Sequence, residues 1–151
     1  MTTRIQKEHV DVGFGFPVHL MNVPMVKIRG SWVPRINHKH LAEAVLRALV
    51  HKPARWTGQE LRFVRLQLEK TLAEFAKMFY VTHPAVLKWE KRGHQTTRMN
   101  WATEKDIRLH VYLKMAEEGD FEEVYQELRP APSDRRRRTK IDVAEAGGVL
   151  V

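Results

Sequence analysis

The residues with the clearest chemistry lie between Thr82 and Arg92. In helical conformation this segment turns Thr82, His83, Pro84, Leu87, Lys88, Lys91 and Arg92 outward. That set suits a DNA duplex. His83 and Lys88 can hydrogen-bond to purine acceptors in the major groove, and Pro84 or Leu87 can touch a thymine methyl. Thr82 at the helix start, with Lys91, Arg92, Thr96, Arg98 and Asn100 beyond it, is placed for phosphates.

Little else organises into a reactive site. The chain has no cysteine, which excludes disulfides, thiolate zinc, iron-sulfur ligation and cysteine nucleophiles together. His38 and His40 lack a third ligand and read better as a loop entering a helix than as a metal site. His9, His19, His51, His94 and His110 have no organising spacing, and no Ser/His/Asp order, phosphate loop or acid pair is present. No catalytic residue, cofactor or metal is expected, and an enzyme acting on nucleic acid is the weakest reading.

Two short helices joined by a tight turn must present the 82–92 face. From Thr71 to Trp89 the apolar positions Phe75, Ala76, Phe79, Val81, Val86 and Trp89 follow helix-turn-helix spacing, with the small Ala76 letting the helices cross closely. Helix starts are signalled by a hydroxyl followed three places later by an acid: Thr57 with Glu60, Thr71 with Glu74, and Thr103 with Asp106. These predict helices over 58–68 and 72–79, and one from Thr103 to Glu117. Thr82 opens the helix between them and Gly93 closes it. The Thr103 helix carries two apolar stripes, Ile107, Val111 and Met115, then Leu109, Tyr112, Leu113 and Ala116. The second is either a subunit interface or a face buried within one domain. A short acidic helix is expected over 121–128, within a run of acids that is either plain solvated surface or a DNA-repelling flank.

Before Arg35 the alternation of Val18, Leu20, Val26 and Ile28 among Gly and Pro indicates strands, with Gly30-Ser31 as a hairpin connection and Pro34 on an edge. From His40 the period is helical until Pro53. The expected fold class is mainly α: a lambda-repressor-like helix-turn-helix bundle preceded by a small N-terminal β-hairpin plus helix module. Its parts are that module over 1–53, the DNA-binding domain over 54–128, and a flexible basic tail over 129–151. Arg135 to Arg138 in the tail serve as a phosphate-gripping arm or as a solvated linker.

The 151 residues carry 26 Lys and Arg against 18 Asp and Glu, a net charge of +8 that favours a polyanionic partner. Residues 129–151 hold six basic and three acidic side chains, so +3 belongs to the tail and +5 to the rest. No apolar run is long enough for a membrane span, and the amino end lacks a signal-peptide core, so no membrane partner and a cytoplasmic location are expected.

The stretches Thr57-Gly-Gln-Glu-Leu-Arg, Leu72-Ala-Glu-Phe-Ala-Lys-Met-Phe and Val81-Thr-His-Pro-Ala-Val-Leu-Lys-Trp-Glu-Lys resemble the Xre family of phage-repressor-like helix-turn-helix proteins. The Thr-Gly-x-Glu-Leu-Arg opening resembles the DNA-binding half of MqsA/HigA-type antitoxins. Two positions depart from the family pattern: Tyr80 stands where Gly is usual in the turn, and Leu72 where Gln is common. The zinc-binding cysteines of the MqsA N-terminal module are absent, so its metal and toxin binding are not carried over. The resemblance implies a sequence-specific regulator of transcription, acting as a repressor and a homodimer on double-stranded DNA. The alternative is an antitoxin that binds a toxin or other protein through its N-terminal module and regulates its own operon.

Overall fold

The computed structural model describes residues 2–115 and 121–146. The chain divides into two compact units, Met1–Ala48 with Arg138–Val151, and Leu49–Arg137. The first is built around a long strand, β2 (Val18–Ile28). β1 (Thr3–Asp11) runs antiparallel along one edge of it, from Thr3 opposite Val26 to Asp11 opposite Val18. With that edge taken, two strands share the other. β3 (Ser31–Pro34) pairs antiparallel with Met25–Ile28, and β4 (Thr139–Asp142) pairs parallel with Val18–Met21.

Between those two partners lie Asn22, Val23 and Pro24. Asn22 adopts φ 55, a left-handed conformation that its short polar side chain tolerates. The buried positions accordingly move from Val18 and Leu20 to Val23 and Met25, an odd step in a period-two strand. Val26 is buried and Ile28, its partner in the alternation, is exposed. The hairpin loop is Arg29-Gly30, at φ 49 and 82, one residue earlier than the expected Gly30-Ser31; both residues take the positive φ of a primed turn that matches strand twist.

The mainly α expectation is therefore overturned. The described residues form six helices and a four-stranded mixed sheet, not a helical bundle behind a small hairpin. The tail expected to be flexible supplies the fourth strand. Thr139, Ile141 and Val143 are buried while Lys140 is exposed, a period-two signal too short to stand out beside four arginines. A parallel partner also requires a long crossover, which strand-by-strand reading does not reveal.

α1 (His38–Val50) leads from the first unit into the second. The second unit then contains α2 (Gly58–Gln67), α3 (Leu72–Met78), α4 (His83–Glu90), α5 (Trp101–Lys114) and α6 (Phe121–Leu128). Thr57 with Glu60 and Thr71 with Glu74 form reciprocal capping boxes, as their spacing predicts. The third box does not form. Asn100 caps α5 by accepting from the Ala102 N–H at 2.8 Å, so the helix starts ahead of Thr103. On α5, Tyr112 is buried and Leu113 is 61% exposed, so the second apolar stripe divides between interior and surface; Ala116 lies outside the described residues. Among the described residues no helix is long and apolar enough to cross a membrane.

Candidate nucleic-acid interface

α3 ends at Phe79, and Tyr80 follows at φ 56 with its side chain 96% exposed. The Val81 N–H donates to the Ala76 carbonyl at 3.0 Å, closing the helix end across this left-handed residue. Tyr80 thus takes the conformation that glycine usually supplies, at a cost of about 1 kcal/mol. Thr82 then starts α4, its hydroxyl oxygen accepting from the Ala85 N–H at 3.2 Å. Phe75, Ala76, Phe79 and Val86 are buried, and the Phe75 and Phe79 rings lie 4.8 Å apart. Trp89, expected to be an anchor of the inner face, is only partly buried.

Two further contacts fix α4. Arg65 of α2 grips Glu90 through both Nε and Nη2, at 2.7 and 2.9 Å, and its Nη1 donates to the Lys70 carbonyl. At the start of α2, a Cβ on Gly58 would lie 2.5 Å from the Trp89 carbonyl oxygen and 2.6 Å from that of Glu90. Only glycine permits this approach. The Gly58 and Gln59 N–H groups donate to the Gln95 and Gly93 carbonyls, so α2 also seats the turn that follows α4.

On this frame His83, Pro84, Lys88 and Lys91 are exposed and Leu87 is partly so. His83, Leu87 and Lys91 follow one another at four-residue spacing along one side of α4, with Pro84 and Lys88 on the adjacent row. Thr82 is exposed, and its O–H remains available to donate while its oxygen caps the helix. The other expected phosphate contacts are more constrained. Arg92 Nε donates to the Thr96 carbonyl at 3.1 Å, and Thr96 pairs with Thr57. Arg98 is exposed at φ 62. Asn100 is exposed but spends its Oδ1 on capping α5.

The chain just before the arginine run, and Arg136 within it, is tied to the helical unit. The Arg55 N–H donates to the Ser133 carbonyl at 2.9 Å, Ala54 bridges to Ser133, and Arg136 Nη1 donates to the His94 carbonyl at 3.5 Å. Arg135, Arg136 and Arg137 are exposed, and Arg136 reaches the turn that follows α4.

Beneath this surface lie ion pairs that neither composition nor motif singled out. Glu104 and Arg108 of α5 are fully buried, 2.6 Å apart, on the same stripe as Ile107 and Val111. Arg108 also donates to the carbonyls of Val50, Lys52 and Ala54, and stacks over the Trp56 and Trp101 rings. Burial pulls its guanidinium below the usual arginine range, and Glu104 works against that. Glu104 receives Arg55 and the Trp56 N–H as well, while Lys52 pairs with Glu60 at 2.6 Å. Arg55 also reaches the Met99 carbonyl. An acid and a base four apart within an apolar stripe was the available signal.

His110 stands edge-on to Phe79 at the end of α3, with ring centroids 5.5 Å apart. Burial holds its pKa below the ordinary histidine value, Lys114 and Lys70 act in the same direction, and Asp106 opposes them. The unfolded chain then takes up the proton first as pH falls. Stability contributed by the neutral ring is complete above about pH 6.5 and declines as pH drops through that value toward the folded pKa. Thermal melts should show wild type losing more stability than His110→Gln between about pH 7 and pH 5.

No family model, no curated protein and no solved structure matches this chain.

Proposed function

We propose that this chain is a DNA-binding regulator that reads the major groove with α4 and works as a homodimer in the cytoplasm. The observation that carries this reading is the outer face of His83, Pro84 and Lys88, exposed with Leu87 partly so among them, on a helix held rigidly from behind by Val86 and the Arg65–Glu90 pair. A groove-reading helix needs both a polar outer face and a fixed approach, because base contacts tolerate little misplacement. The net charge of +8 supplies the sequence-independent attraction. Repression follows if the bound site overlaps a promoter.

The test is binding to duplexes selected from a random pool, against scrambled duplexes of the same composition. Lys88→Ala is expected to weaken binding to the selected duplex by about 1–3 kcal/mol while leaving scrambled binding nearly unchanged. A wild-type chain that binds both duplexes equally overturns the reading.

A second variant separates attraction from reading. Replacing Arg135, Arg136 and Arg137 together by alanine is expected to weaken binding to every duplex alike and to flatten the dependence of log affinity on log salt by about 2 to 3. Titrations over a range of salt concentrations measure this slope directly.

A further inference from the structure

β1 bounds the sheet on one side, and among the described residues it pairs only with β2. Ile5 lies opposite Pro24, and Glu8 opposite Met21. The Pro24 and Met21 carbonyls accept from Arg35 and Val143 on the far side of β2, so the N–H and C=O groups of Ile5 and Glu8 turn away from the sheet. Where a neighbouring strand would donate, Gln6 Nε2 reaches the Glu8 carbonyl at 2.7 Å. Ile5 is 73% and Val10 44% exposed. An edge of nine residues in this state is one that sheets ordinarily cover or blunt.

The order of charges along β1 identifies what covers it. Arg4 and Lys7 occupy the first half, Glu8 and Asp11 the second. A parallel neighbour of the same sequence would set like charge beside like. An antiparallel one sets Arg4 and Lys7 beside Asp11 and Glu8, and Ile5 beside Val10, and a two-fold axis repeats each contact. We propose that two copies of this chain pair antiparallel along β1, about a two-fold axis near Lys7 and Glu8, joining their sheets into one. The hydrogen bond with His19 at 2.7 Å holds the Glu8 carboxyl below the usual carboxylate range. This pairing names the surface of the homodimer in the functional reading, and it is tested without DNA, so either can fail alone.

Sedimentation of the full chain at micromolar concentration is the test. Wild type is expected to be a dimer. Arg4→Glu with Lys7→Glu makes the edge wholly acidic, and Glu8→Lys with Asp11→Lys makes it wholly basic; each should raise the dimer dissociation constant at least about tenfold. Mixing the two variants should restore a dimer containing one copy of each, which a misfolded variant could not do. A monomeric wild type, a dimer unmoved by both variants, or a mixture that stays monomeric overturns the proposal.

Discussion

Arg108→Met is expected to lower the free energy of unfolding by about 3–5 kcal/mol, the largest effect of any substitution considered. Methionine fills much of the same volume, so the loss does not come from a cavity. It comes from Glu104, which stays fully buried with only Arg55 and the Trp56 N–H to answer its charge, and from the carbonyls of Val50, Lys52 and Ala54, which lose their donor. The double variant Glu104→Leu/Arg108→Met removes the charge imbalance but not the three bare carbonyls. It should recover part of the loss and no more. Denaturant titration of the three proteins measures both steps, and a single-variant loss below about 1 kcal/mol would mean that these charges are not buried as described.

Arg65→Ala is the second. It strands Glu90, whose carboxylate is nearly buried, and frees the Lys70 carbonyl. A loss of about 3 kcal/mol is expected, with unfolding again the readout. The consequence reaches beyond stability, because Glu90 is the last residue of α4 and Arg65 is its tie to α2. Affinity for a selected duplex should fall by more than the unfolded fraction explains, since the helix loses its fixed approach even in molecules that stay folded. Glu90→Gln keeps the shape and one hydrogen bond of the pair, and should sit between wild type and Arg65→Ala in both measurements.

How much of this was legible in the sequence differs sharply between the two units. The helices around Thr57, Thr71 and Thr82 were readable because each start depends on neighbours three residues apart, and those local bonds form as expected. The face of α4 was readable for the same reason: helical period alone separates Val86 from Lys88. What decided the rest was not local. Asn100 outcompeted Thr103 for the cap of α5. Trp89 reads as an anchor by its type, yet stays only partly buried. Glu104 and Arg108 have the four-residue spacing of a surface pair but share the stripe of Ile107 and Val111, and the folded 50–57 segment, with its carbonyls turned inward, is what lets them be buried there. The sheet was underestimated because its fourth strand and the Asn22 re-phasing depend on pairing between Val18–Met21 and Thr139–Asp142, which no window along the chain contains.

That pairing has a consequence for biosynthesis. By the time Arg137 leaves the ribosome, every residue of the helical unit is present, while the Val18–Met21 side of the sheet still waits for residues 139–142. Counted from the emergence of Met21 itself, that side of the sheet waits on the order of ten seconds at the usual pace of translation. Through that interval the nascent sheet offers bare strand to any other chain nearby, and chaperone dependence during synthesis should therefore track the sheet and not the helices.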